Sequence, residues 1–518
     1  MAAQYRFLVA FDTDRIKEYV FATDKLREVR GASRLLTILN EGAPDAKAEQ
    51  SLTEKEIQQV SPDYQRVFFG GGSGAVLVPS QDEALKVVQA VESLYQRKTF
   101  NGSITGVCLP LARAPETEGF GASMALARLK LREKKDENAH RLLPGIRPYT
   151  QPCAACERHP AVTVSPIDQA PLCQSCTAKR EAFKEYRDKS AQDAPDDLEA
   201  LGEVARPPGY IGFIYADGNS TGEWTERLSS VKQYKDFAEG LNALVQSAVR
   251  DALEKYPHRR QKDQEVRPYE TLLVGGDDLM LVTAGDVAFS VALEIANTYE
   301  AGSVKVLQSA GLPSERPLTL ATGLVLAHAS FPMAAFNRLA RQLCRRAKQR
   351  CAEVDYREGA LDFMVVTAAG SSDLKIARDD VLTQHSFAFS HGPREVRLTQ
   401  RPYTLTEARK LLEHTQTFKG ANFPRSQLQL LYEGLFHSQI EAVYRWGKVA
   451  GRVDEKKHYP VMKKFYESFG DRSGGFPPWR QGDNPRGVDF TSALGDLVEI
   501  YPFVPSAGKG GHDATDDS

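Results

Sequence analysis

Cysteine is scarce in this sequence: 7 in 518 residues do not make a disulfide-stapled scaffold. Charge of one sign is missing too. The 66 Lys and Arg are balanced by 68 Asp and Glu, for a net charge of −2, and the pI is near 6.6. That balance argues against a surface built for indiscriminate nucleic-acid binding. No apolar run near the N-terminus has the length of a signal peptide, and none approaches a membrane span of roughly 20 residues. A soluble, cytoplasmic protein without membrane partners is the expectation. The length implies several domains and more than one core.

What is present centres on Thr271-Leu-Leu-Val-Gly-Gly-Asp-Asp-Leu-Met-Leu-Val-Thr283. Two apolar, β-prone runs flank a Gly-Gly-Asp-Asp tip, the pattern of a tight β-hairpin. Gly275 and Gly276 permit the turn and a close approach of a ligand. Asp277 and Asp278 put two carboxylates at the tip, suited to hard divalent cations. Gly and Asp are also ordinary turn residues, so the tetrad is weak alone. Upstream, the apolar run Tyr210-Ile-Gly-Phe-Ile-Tyr-Ala ends in Asp217-Gly218-Asn219. A strand delivering one Asp beside a hairpin carrying two suits two-metal nucleotidyl transfer, with two Mg²⁺ or Mn²⁺ ions. The order strand–Asp, helix near 231–255, then hairpin matches the palm of polymerases and nucleotide cyclases.

The first half repeats the second. Tyr5–Asp14 aligns with Tyr210–Asn219, setting Asp12 on Asp217. Asp12 to Gly70 and Asp217 to Gly275 are both 58 positions. Each hairpin leads to a helical pattern, 82–97 or 286–299, and then to a strand with Thr-Gly, at Thr105-Gly106 and Thr322-Gly323. Gly72 and Ser73 stand where the second copy has Asp277 and Asp278, while Asp12 is kept and Asp14 added. The turn with Gly71, Gly72 and Ser73 is either a backbone cradle for a nucleotide or a plain glycine hairpin. The expected arrangement is one catalytic palm facing one accessory palm, with two nucleotides between them. In the amphipathic helix 24–40, Gly31-Ala32-Ser33 marks close packing of another helix or, less safely, approach of a ligand.

Between the copies, Cys153-Ala-Ala-Cys156 and Cys173-Gln-Ser-Cys176 are separated by sixteen residues, the spacing of a four-thiolate structural zinc site. His159 is read as a bystander, and Cys108, Cys344 and Cys351 as small hydrophobes. Residues 187–209 read as a polar linker and 256–269 as a charged loop. The basic helix 336–350 has the usual look of a solvated face, but it follows the palm's third strand, from where Lys348 can reach a triphosphate. Beyond 371 the pattern turns helical, with a capping signature at Thr404–Glu407 and helices near 424–449 and 457–468. The end is Gly-rich and acidic, and its His512-Asp513 pair is no phosphohydrolase site.

The expected fold is α+β, with two ferredoxin-like palms, a zinc-binding insert and a helical C-terminal domain. The boundaries are 1–140 (first palm), 141–207 (insert and linker), 208–370 (second palm), 371–505 (helical domain) and 506–518 (disordered tail). Candidate catalytic and metal-holding residues are Asp217, Asp277 and Asp278. Candidate nucleotide-binding residues are Gly218, Gly275, Gly276 and Lys348, with Ser33, Gly71, Gly72 and Ser73 from the first palm.

Asp12-Thr-Asp-Arg-Ile-Lys-Glu-Tyr-Val20, Arg30-Gly-Ala-Ser33, the double CxxC and Gly275-Gly-Asp-Asp278 together resemble the large polymerase-like subunit of type III CRISPR effector complexes. The resemblance covers residues 5–370 firmly and the helical end loosely. It implies synthesis of cyclic oligoadenylates from ATP in antiviral defence, triggered when a guide-RNA complex with other subunits captures target RNA. By position it assigns metal binding to Asp217, Asp277 and Asp278. Many members begin with an HD nuclease domain, whereas here the first palm starts at residue 5, so DNA cleavage by that route is not expected. The alternatives are a stand-alone nucleotide cyclase, open to homo-oligomerisation, and a non-catalytic RNA-binding scaffold. A GGDEF-type diguanylate cyclase resembles only one palm, and Leu279-Met280 replaces its Glu-Phe.

Overall fold

The structure is a computed structural model that describes residues 5–506 apart from 43–49, 112–118, 139–148, 191, 263, 368–372, 389–391, 471–475 and 482–487. The tail from 507 on, with His512 and Asp513, lies outside the described residues.

The first half runs β1 (Phe7–Asp14), α1 (Ile16–Val20), α2 (Leu26–Asn40), α3 (Leu52–Val60), β2 (Gln65–Gly70), β3 (Ser73–Val78), α4 (Gln81–Thr99), β4 (Ser103–Pro110) and α5 (Phe120–Asn138). The cysteine-bearing insert holds β5 (Thr163–Val164), β6 (Pro171–Leu172), α6 (Gln174–Ser190) and α7 (Leu198–Glu203). The second half repeats the first. It runs β7 (Tyr210–Gly218), α8 (Thr221–Glu226), α9 (Val231–Leu253), a small hairpin of β8 (Arg259–Gln261) and β9 (Gln264–Val266), then β10 (Tyr269–Gly275), β11 (Asp278–Ala284), α10 (Gly285–Ser309), β12 (Leu320–His328), α11 (Met333–Glu353) and β13 (Ala360–Val365).

Among the described residues the first sheet has the order β2-β3-β1-β4, and the second opens β10-β11-β7-β12 before adding β13. Both central strands are buried on both faces, because helices cover each side. In β1, Leu8 and Ala10 enter one apolar core while Val9 and Phe11 enter the other. Each core includes residues of both sheets. Two helices bridge the halves: α2 packs on β10 of the second sheet, and α9 packs on β2 of the first as well as on β10 of its own. Across this junction Arg30 of α2 pairs with Glu270 of β10 at 2.9 Å, both side chains 2% exposed. A buried pair of this kind fixes how the halves sit more than it stabilises them.

Four readings of the sequence are corrected. The shared Thr-Gly pairs are not equivalent. Thr105 lies opposite Asp12, but Ala321, not Thr322, lies opposite Asp217. A one-residue slip turns a strand residue to the other face, so Gly106 meets Phe11 and Val88, whereas Gly323 meets the backbone of α11. The supposed linker contains α7, capped by the Asp197 side chain on the Ala200 N–H, with Leu198 and Leu201 buried. The supposed charged loop contains the β8–β9 hairpin, whose Arg259 forms a two-pronged pair with Asp286.

The C-terminal region carries α12 (Asp380–Leu382), β14 (Thr383–Ala388), β15 (Gly392–Arg397), β16 (Tyr403–Thr404), α13 (Leu405–Gly420), α14 (Arg425–His437), α15 (Gln439–Ala450), α16 (Tyr459–Phe469), β17 (Arg480–Gln481), β18 (Val488–Thr491) and α17 (Leu494–Ile500). It is therefore not purely helical: β14-β15-β18-β17 form a sheet, and β16 joins the second palm sheet beside β13. Thr404 and Glu407 close a reciprocal capping box at the start of α13. Buried Arg401 binds Asp496 and Glu499, at 2.9 and 2.8 Å. Among the described residues no helix is long and apolar enough to cross a membrane.

Candidate active site between the two palms

β7 and β11 are antiparallel neighbours, and Asp217 and Asp278 stand directly opposite each other. Residues opposite one another project to the same face, so two strands of different sequence position deliver two carboxylates to one spot. Asp277 is the turn residue before Asp278. Gly276 adopts φ +62 while Asp277 stays out of the left-handed region. Such a turn admits a side chain at its second position. The first hairpin differs in backbone as well as in sequence: Gly71 and Gly72 have φ +62 and +83. A Cβ on Gly72 would also meet Ile16 Cδ1 at 2.8 Å. An Asp there would be strained, so the first palm is closed to the paired carboxylates by its fold.

The two turns touch. A Cβ added to Gly275 would lie 2.6 Å from Gly71 Cα, and one on Gly71 would lie 2.9 Å from the Gly276 nitrogen. Gly218 serves Asp277: a Cβ there would lie 2.7 Å from Asp277 Cβ, and its N–H donates to the Asp277 carbonyl at 3.2 Å. Beside the contact opens a cleft of about 810 Å³, lined from the first palm by Asp12, Gly70, Gly71, Ser73, Arg128 and Lys135, and from the second by Thr221, Asn242, Gly275, Gly276, Asp277 and Asp278. Gly72 and Ser33 fall outside it. They line a smaller recess with Ile16, Glu41 and Asp278. At Gly31 the small-residue stretch packs against a helix, since a Cβ there would lie 1.7 Å from the Lys179 carbonyl of α6. Asp217, Gly218 and Lys348 line neither space.

The electrostatics mark a surplus of negative charge. Burial and then the charge of Asp278 raise the Asp217 carboxyl, although Lys348 opposes both. Burial lifts Asp277 to about 6, with Asp217 and Asp278 adding to it. Lys348 Nζ sits 2.9 Å from Asp217 Oδ2 and 3.4 Å from the Gly218 carbonyl. The first palm repeats that pair, with Lys135 Nζ at 2.6 Å from Asp12 Oδ2 and 3.0 Å from the Thr13 carbonyl. On Asp278 the partner is Lys17 of the first palm, at 3.1 Å, together with the Tyr215 hydroxyl at 3.0 Å. Three carboxylates against two lysines leave a surplus of oxygen ligands, which suit hard divalent cations.

Lys17, Tyr215, Arg128 and Lys135 escaped the sequence reading. Lys135 was within reach of it, because α5 and α11 follow corresponding strands in the duplication. Lys17 lay within the Asp12–Val20 stretch but was given no role, and Tyr215 gave no such signal.

The four cysteines of the insert meet as expected from their spacing. Their Sγ atoms all lie within 4.8 Å of one another, buried, with Cys156 and Cys173 3.9 Å apart. That is far beyond a disulfide length of about 2 Å and close to the edge of a tetrahedral four-thiolate zinc site. The His159 carbonyl accepts from the Cys153 N–H, and its ring meets Asn101.

Residues 210–353 match the second palm domain of Cas10/Cmr2. A search of characterised proteins found no match to the sequence. Among solved structures, Csm1 in T. onnurineus is 13% identical with a TM-score of 0.58, over 97% of this chain and 70% of Csm1. A Csm1–Csm4 cassette in complex with cA3 is 14% identical with a TM-score of 0.55, over 97% and 70%. A cassette in complex with one ATP is 14% identical with a TM-score of 0.54, again over 97% and 70%. The chain spans between 53% and 70% of the length of the Csm1 chains it matches. The second palm thus matches that of Cas10/Cmr2, and the fold of the chain is similar to that of Csm1.

Proposed function

We propose that the protein is a nucleotidyltransferase that joins ATP molecules into cyclic oligoadenylates, as the large subunit of a type III CRISPR effector complex. One observation carries this reading: the carboxylates of a Gly-Gly-Asp-Asp hairpin border a cleft whose other wall belongs to a second palm with no carboxylate in its hairpin turn. The relatives support the substrate. Csm1–Csm4 cassettes are seen with one ATP, with pppApA, with pppApApA and with cA3.

In this reading Asp217, Asp277 and Asp278 hold two Mg²⁺ or Mn²⁺ ions. When bound, the ions supply neutralisation of triphosphate charge and activation of a ribose hydroxyl. Gly275 and Gly276 let a phosphate approach the hairpin backbone, and Lys348 exchanges Asp217 for a phosphate oxygen. Gly71, Gly72 and Ser73, with Ser33 at the adjoining recess, hold the partner nucleotide, and Arg128 and Lys135 offset its phosphates. The 3′-hydroxyl of one ATP attacks the α-phosphorus of the other, a P–O bond forms and the bond to pyrophosphate breaks. Repetition and ring closure complete the product. Zn²⁺ on Cys153, Cys156, Cys173 and Cys176 is structural, since four thiolates leave no open position. Guide RNA, target RNA and further subunits would act as activators, and the setting is the cytoplasm.

Replacing Asp277 and Asp278 together by Ala abolishes product with ATP and Mn²⁺ while the circular-dichroism spectrum is retained. Undiminished turnover in that double variant refutes the assignment.

A further inference from the structure

We propose that Lys17, delivered by the accessory palm, is a displaceable counter-ion for Asp278, so that a divalent cation loads the catalytic palm only as Lys17 leaves. The inference rests on the metal site proposed above. Lys17 Nζ lies 3.1 Å from Asp278 Oδ1. It also donates to the Tyr215 hydroxyl and stands 4.6 Å over that ring. The Tyr215 hydroxyl in turn donates to the same Oδ1 at 3.0 Å. One carboxylate oxygen thus has two donors on it, in a pocket where the lysine side chain is only 19% exposed.

The backbone explains how a first-palm residue reaches a second-palm carboxylate. Arg15 is left-handed (φ 45, ψ 42) and turns the chain out of β1 into the single turn of α1. The duplicate position, Ser220, is left-handed as well (φ 57, ψ 21) and leads into α8. Two residues on, however, the second palm has Gly222 where the first has Lys17. The lysines on Asp217 and Asp12 are repeated in both halves and come from within their own palm. The bridge to Asp278 is made once, in one direction, and between palms. A cation from one palm neutralising a ligand of the other makes the carboxylate's availability depend on how the palms sit. Whatever draws α1 away from β11 frees Asp278.

The test is Mn²⁺ binding to the nucleotide-free full chain, followed by electron paramagnetic resonance of the free ion. Lys17→Met should bind Mn²⁺ about tenfold more tightly than the unsubstituted protein, the scale on which a neighbouring cation lowers a carboxylate's proton affinity. Lys17→Arg, which keeps the charge, should restore the weaker binding, and Asp278→Asn should remove the site from both. Mn²⁺ affinity in Lys17→Met equal to or weaker than the parent overturns the inference while leaving the metal site standing. Binding that Asp278→Asn does not alter in any background overturns the metal site itself, and the inference with it.

Discussion

On the proposed function Asp277 sets stability against metal binding, and Asp277→Asn measures the conflict. Burial, with Asp217 and Asp278 beside it, raises this carboxyl from an ordinary 3.8 to about 6. The sign follows from proton counting. Between pH 4 and 6 the folded protein holds a proton on Asp277 that the unfolded chain has lost, so stability of the metal-free protein falls as pH rises through this window. Above 6 the full penalty is present, and below about 4 it is gone. A shift of roughly two units corresponds to about 2–3 kcal/mol. Asn has nearly the same shape and cannot ionise. In buffer free of added divalent ions the variant should therefore be more stable by about 2–3 kcal/mol at pH 8, a rise of about 4–12 °C in melting temperature for a domain the size of the second palm. The gap should shrink as pH falls through 6 and vanish near 4. Added Mn²⁺ should stabilise the parent and not the variant. Thermal melts across pH read all of this. A variant less stable than the parent at pH 8, or a gap that ignores pH, refutes the reasoning.

Two other changes probe the junction between palms. Gly275→Ala sets a Cβ 2.6 Å from Gly71 Cα, backbone that cannot yield. It should cost about 1–3 kcal/mol and, by shifting the palms about 1 Å, lower product formation roughly 100-fold, whereas parental turnover and stability would contradict the contact. Glu270→Ala leaves the Arg30 guanidinium buried without its 2.9 Å partner and should cost about 3–5 kcal/mol in denaturant unfolding. A loss below about 1 kcal/mol would show that the pair does not clamp the halves.

The duplicated palms were legible because their signals are local. A strand ending in Asp, a helix and a glycine turn recur at a fixed interval, and hairpin register follows from turn chemistry. The cysteine pairs were legible for the same reason. The Thr-Gly match misled, because sequence likeness in a strand cannot see a one-residue slip that only the pairing of β4 with β1 and β12 with β7 exposes. The helix within 187–209 was hidden by the Pro and acidic residues around it, although Asp197 is a proper cap. Strand β16 is two residues long and owes its existence to β13. Lys17 sits in the Asp12–Val20 stretch, but its role was hidden for a deeper reason. It contacts Asp278, 261 positions away, and looks like any lysine on a short polar turn. Only the packing of one half against the other brings it to the site.

The most direct measurement is mass spectrometry of the products after the protein, alone and within an RNA-loaded complex of the kind proposed, is incubated with all four NTPs and Mg²⁺ or Mn²⁺. The account predicts cyclic oligoadenylates that disappear when Asp277 and Asp278 are replaced by Ala. An absence of any nucleotide product from the complex, or a product that survives the double substitution, would contradict it.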